Sequence, residues 1–299
     1  MLGIILLSVL GFVLVMLSIM TYYLRGIARQ AETEDEAGAG IEKKKEEIAS
    51  SQNFVYTALI LVSVGLVASL YIYVRGTAWE GHLMEWMNMV VRLMHITFGI
   101  AWIGASFYFV FLENALNRTK DVRDELAGNL WAVHGGGFYY LEKYKVAPKT
   151  IPKHLHWFKY EAYFTWLSGF CLLFIVYYFN ASALLIDKNV LDISSSTGIA
   201  IGVGSFVVAW IVYGLLCKSP LNKKPVWFTL IGFAVLVGFA YLYSRVFSGR
   251  AAYIHFGAMI GSIMVANVFF VIIPAQKAMV NAAKNGLPLN PQLGKNALN

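Results

Sequence analysis

Charged residues are scarce in this chain. Aspartate, glutamate, lysine and arginine make up 14% of its 299 residues, where a soluble domain carries about 25%. Cysteine is scarcer: Cys171 and Cys217 are the only two, both inside apolar runs. No CxxC pair offers half a zinc site, and no CxxCH offers attachment for a c-type haem. A basic n-region and an A-x-A cleavage site are also missing around the first apolar run, so that run is expected to be a retained helix rather than a signal peptide. What remains is 58% hydrophobic with a mean hydropathy of +0.61, the composition of an integral membrane protein.

Seven apolar spans are expected, near 2–24, 53–74, 86–112, 158–180, 197–217, 226–247 and 252–273, each close to the ~20 residues a spanning helix needs. The expected fold is an all-α polytopic transmembrane bundle. Its parts are a first helix (1–24), a charged linker (25–52), a bundle (53–275) with a long loop at 113–157, and a tail (276–299). Of the 24 lysines and arginines, 19 fall in 25–52, 113–159, 218–225 and the tail. The positive-inside rule then places the N-terminus outside and the C-terminus in the cytoplasm. This distribution accounts for the net charge of +7 without nucleic acid as a partner.

The linker from Glu32 to Ser51 reads as a solvated tether, flexible first and helical later. The 113–157 loop is rich in aromatics, unlike a disordered segment. Interfacial helices are expected there, with 121–133 helical and Gly135, Gly136 and Gly137 breaking the helix.

The stretch Glu85 to Asn114 stands out. It is long enough to span, yet Asn88, Arg92, His95, Gly99, Trp102 and Ser106 recur on one face by steps of four, three, four, three and four. Such a stripe must face protein, a cavity or a cofactor. His255 lies near the start of the last span. His95 stands 18 residues before Glu113 and His255 stands 21 before Gln276, so their depths differ by about 5 Å at ~1.5 Å per residue. Two readings lead, with a metal other than haem iron behind them because no carboxylate or cysteine completes a zinc set. The histidines ligate the iron of a non-covalent haem b, with Arg92 on a propionate, or each hydrogen-bonds across the bundle while Arg92 snorkels outward. Gly257 and Gly261, four apart, read as a helix-packing surface.

Two further constellations lie in the loop. Trp131 to Tyr139 holds His134 beside three glycines, where amides could cradle an anion and the imidazole act as acid or base, or the glycines form a hinge. Lys153 to Glu161 puts His154, Trp157 and Glu161 on one face, with His156 between; Glu161 needs a partner at the membrane boundary, a histidine or Lys159. An aromatic anchoring belt explains the same segment. His82 reads as a loop residue.

Several of these motifs, in order, resemble the membrane domain of the bacterial cytochrome-linked urate oxidase (urate hydroxylase) family: Glu85-Trp86, Arg92 to His95, Gly99 to Phe109, Trp131 to Tyr139, Lys143-Tyr144, His156 to Tyr163 and Thr165 to Phe170. The resemblance runs from about residue 79 to 275. It implies a multi-pass protein of the bacterial inner membrane that oxidises urate to 5-hydroxyisourate. It directs attention to His134, His156 and Glu161 as catalytic groups, to Gly135, Gly136, Gly137, Phe138 and Trp157 for urate, to Arg92 and Trp102 at the cofactor, and to His95 and His255 as haem ligands. Full-length members carry a cytochrome c domain with CxxCH. The expectation is therefore transfer to a separate cytochrome c, a quinone or a respiratory complex. A non-catalytic respiratory subunit and, last, a purine or ion transporter are the rival readings.

Overall fold

The computed structural model describes residues 38–148, 150–152 and 155–288, with Leu14, Leu17, Ser18 and Thr21. The expected first span, the first half of the linker, His154 and the end of the tail lie outside the described residues, apart from those four positions. Among the described residues, six helices are long and apolar enough to cross a membrane. Two compact units divide between Trp86 and Met87.

In the first unit, helix α1 (Gly38–Val74) joins the charged second half of the linker to the span expected at 53–74. Its 37 residues measure about 55 Å, so the charged turns reach beyond a ~30 Å hydrocarbon core. Phe54, Ile60, Leu61 and Val64 are exposed, as suits a lipid-facing surface. Helix α2 (Trp79–Ala115) begins here. His82, expected in a loop, lies on its first turns and accepts a hydrogen bond from Trp86 Nε1 at 3.0 Å.

The second unit holds the rest of α2 and the remaining spans. Helix α3 (Tyr160–Leu172) passes directly into a π-helical turn, Leu173–Tyr178. Helix α4 (Ser195–Lys218) starts at Ser194, whose hydroxyl accepts from the Thr197 amide at 3.1 Å. Helix α5 (Pro225–Val246) has proline in its first turn, where no amide is missed. Helix α6 (Gly249–Asn267) is capped by Ser248 and runs through a second π turn, Val268–Ile272, into α7 (Ile273–Lys284). Pro274 explains that turn: its ring cannot sit against the carbonyl four residues back, and a wider turn makes room. The first residues of the expected tail thus continue the last span. Tyr177, Tyr178, Leu185, Phe206, Tyr243, Phe247 and Met259 form the core among α3, α4, α5 and α6.

The loop after α2 departs from expectation. It is a β-hairpin, β1 (Leu126–His134) against β2 (Gly137–Tyr144), and 121–133 is not helical. Gly135 and Gly136 have φ of +57° and +80°, the left-handed pair that a two-residue type I′ turn requires. The glycines close a hairpin rather than break a helix, and the flanking Trp, Val, Phe and Tyr suit pleated strands. Trp131 pairs across from Tyr140, with ring centroids 4.7 Å apart. At the base, Glu113 at the end of α2 meets both Arg118 and Lys143. Arg123 bonds Glu142 at 2.6 Å and Glu125 at 3.3 Å. Burial acts to lower its pKa, but these two carboxylates together with Tyr144 outweigh it and hold the guanidinium above its ordinary value.

Candidate functional site

The polar stripe of α2 faces a cavity of about 1050 Å³. Arg92, His95, Gly99, Trp102 and Ser106 line one side of it; Asn88, the sixth member, accepts a hydrogen bond from Arg92 at 3.0 Å. Helix α3 and its π turn supply Thr165, Trp166, Gly169, Phe170 and Tyr177, and α6 supplies Arg250, Tyr253, Gly257, Gly261 and Ser262. The walls are tied together where Trp166 Nε1 donates to Ser262 Oγ at 2.9 Å. The α2 helix has no buried residue, and Phe107 and Tyr253 on opposite walls are 70% and 79% exposed. The cavity is therefore open sideways between the helices. Gly257 and Gly261 do not pack against a neighbouring helix as expected. A methyl group on either would meet nothing within 4 Å, so these glycines leave the cavity floor open.

His95 Nδ1 lies 3.0 Å from the Thr165 carbonyl and 3.3 Å from Ser168 Oγ. A carbonyl only accepts, so Nδ1 carries the proton, and it is the other ring nitrogen, Nε2, that is left to a ligand. Among the described residues nothing bonds Nε2. The ring sits directly on the α3 backbone: a Cβ at Gly169 would come within 2.8 Å of its Cε1. Arg92 is one turn away on α2. Arg250, in the first turn of α6, has no hydrogen-bond partner among the described residues and lines the same cavity.

His255 is placed differently. It is fully buried, and both ring nitrogens are engaged. Nδ1 donates to the Ala251 carbonyl at 2.8 Å, which leaves Nε2 to accept from the Tyr178 hydroxyl at 3.0 Å. Tyr177 and Phe206 stand against the ring, with centroids at 6.1 and 6.0 Å. Those two line the cavity and His255 does not, so it stands one side-chain layer behind the wall. A haem held through both imidazoles does not fit this arrangement. Sequence depth compared heights along the membrane normal and carried nothing about the direction each ring faces.

The loop residues are not gathered into one site. His134 ends β1 at the exposed hairpin tip, beside Gly135, Gly136 and Gly137, and Phe138 is 79% exposed. His156 packs on the edge of Phe158 at 4.5 Å, and Phe158 in turn meets Phe109 of α2 at 4.9 Å. Trp157 receives Lys159 Nζ over its ring at 5.8 Å. Glu161 lies in the first turn of α3, where the helix dipole favours a carboxylate. Its Oε2 is buried with no hydrogen-bond partner, and no ion pair joins it to Lys159 among the described residues. No hydrogen bond or ring contact links His134 to His156 or Glu161.

Arg250 is a cavity residue that was not among the expected site residues. Its signal was present: Arg250, Ile254, Gly257 and Gly261 recur by four, three and four, and all four line the cavity. Trp166 and Tyr177 were hidden among the many aromatics of the fourth expected span.

No curated protein and no solved structure matches the chain. The model of the family described as "Urate oxidase N-terminal" matches residues 81–299, which takes in the cavity, the hairpin and every described candidate residue. A match over more than half of the chain settles membership: this multi-pass helical protein belongs to the Urate oxidase N-terminal family.

Proposed function

We propose that the chain is the membrane-embedded part of a urate-oxidising system, seated in the bacterial cytoplasmic membrane with its hairpin and C-terminus in the cytoplasm. The observation that carries this reading is the cavity between α2, α3 and α6, where a histidine and two arginines line a largely apolar chamber. Membership of the Urate oxidase N-terminal family supports urate as the substrate class. In the reaction, a water oxygen bonds to C5 of urate, and two electrons and two protons leave to give 5-hydroxyisourate. Glu161 is the group to take a proton, because its buried oxygen has no competing partner. The mutually packed rings of Phe109, Phe158 and His156 offer stacking surfaces to a planar anion. The electrons pass to a separate carrier.

One observation favours a second reading, a membrane subunit that only scaffolds a respiratory assembly: His134 stands apart from His156 and Glu161. The two readings separate in one assay. Purified full-length chain is mixed with urate and ferricyanide, and urate absorbance and dye reduction are followed together. Two ferricyanide reduced per urate lost supports the enzyme. No urate loss, with stable co-purification of a large complex, supports the scaffold.

A further inference from the structure

We propose that the cavity between α2, α3 and α6 is a binding site for a membrane quinone, which is the acceptor for the electrons released from urate. The inference rests on the proposed function for the source of those electrons, but the site itself rests on the cavity alone.

The cavity takes its ligand from lipid. It lies along spanning helices and opens sideways past Phe107 and Tyr253. Its volume of about 1050 Å³ is at the top of the ~300–1,000 Å³ range of small-molecule pockets. That is far more room than one purine fills, and enough for an aromatic head group with an apolar chain. The glycine floor at Gly257 and Gly261 admits a flat ring, and Trp102 and Trp166 supply apolar faces.

The polar groups match both redox forms of such a head group. A quinone oxygen only accepts hydrogen bonds, and Arg92 donates only; Asn88 holds its guanidinium in place at 3.0 Å. A quinol oxygen also donates, and His95 Nε2, left to a ligand by the Nδ1 bond to Thr165, is there to accept. Arg250 adds a second cation that stabilises negative charge building on the ring during reduction. Purely lipid-filled grooves need none of these groups.

The electron and proton balance closes. Oxidation of urate by water releases two electrons and two protons. Reduction of the two quinone carbonyls to hydroxyls takes up the same number. The sum is urate, water and quinone giving 5-hydroxyisourate and quinol.

The test has a binding arm and a turnover arm, both on purified full-length protein in liposomes. A photoreactive azidobenzoquinone with a short isoprenoid tail is cross-linked, and the labelled peptides are mapped. Labelling should concentrate within 92–110 and 250–264, be displaced by unlabelled quinone, and weaken about tenfold in Arg92→Gln and in His95→Leu, the loss expected for a hydrogen bond to a charged or strongly polar group. Should those variants misfold, Gly257→Leu fills the chamber without removing any polar contact and should block labelling equally. Label elsewhere, label displaced by phospholipid but not by quinone, or a b-type haem spectrum from the cavity overturns the inference. In the turnover arm, urate should reduce the quinone. Urate that reduces ferricyanide but never quinone overturns the quinone assignment and leaves urate oxidation intact. Cavity labelling without any urate turnover keeps the quinone site and removes the urate reaction.

Discussion

His95 and His255 are the same side chain, each resting on a glycine of a neighbouring helix, and they do opposite things. Around His255 the protein closes completely. Both nitrogens are bonded, five aromatic rings (Tyr177, Tyr178, Phe206, Tyr243 and Phe247) lie within about 6 Å, and Gly202 would place a Cβ 3.0 Å from Nε2. Around His95 it stops halfway. Nδ1 is fixed to α3, Gly169 supports the ring, and Nε2 faces an open chamber. The first arrangement holds helices together. The second presents a nitrogen to a ligand. A histidine in a membrane span is a functional candidate by default, and this pair shows that the hydrogen-bond inventory of the ring, more than its depth, decides between the two roles.

Substitutions break the comparison in a graded way. The largest loss of stability should come from His255→Ala, which opens a buried void and strands the Tyr178 hydroxyl. A loss of about 3 kcal/mol is expected, read as a large fall in the detergent unfolding temperature. Gly202→Ala should follow at about 2 kcal/mol, because a methyl group there meets the His255 ring and the Tyr178 hydroxyl at 3.0 and 3.1 Å. His95→Ala should cost only about 1 kcal/mol, one hydrogen bond at a half-open site, while weakening ligand binding about tenfold. Gly169→Ala sharpens this further: the new methyl would displace the His95 ring, so binding should fall by more than stability does. Smallest of all, Gly257→Ala and Gly261→Ala should change stability by less than about 0.5 kcal/mol, since their methyls enter open space. A cost of about 2 kcal/mol at either glycine would instead reveal the helix-packing role the sequence suggested.

The parts legible in the sequence were those governed by one-dimensional rules. Hydropathy found the spans, with boundaries close to those of α2 to α6. Helical periodicity found the stripe from Asn88 to Ser106, and five of its six members line the cavity while the sixth positions Arg92. The hairpin was missed because Gly135 and Gly136 were read as a helix break. The alternating Trp131, Val133, Phe138 and Tyr140, which share one face of the hairpin, held the contrary signal. His255 was misplaced for another reason. Its neighbours come from the π turn after α3, from α4 and from the end of α5, and nothing in its local sequence records how the helices turn toward one another. The same gap hid Arg250, whose importance lies in the cavity it shares with α2.

The most direct test of the account compares His95→Ala with His255→Ala in one experiment, measuring the unfolding temperature and urate-dependent electron transfer on the same preparations. The account predicts a His95→Ala protein that unfolds near the wild-type temperature but needs about tenfold more quinone for the same electron transfer, and a His255→Ala protein whose unfolding temperature collapses. Equal loss of electron transfer in two equally stable variants would contradict it, because it would make the two histidines partners in one redox site.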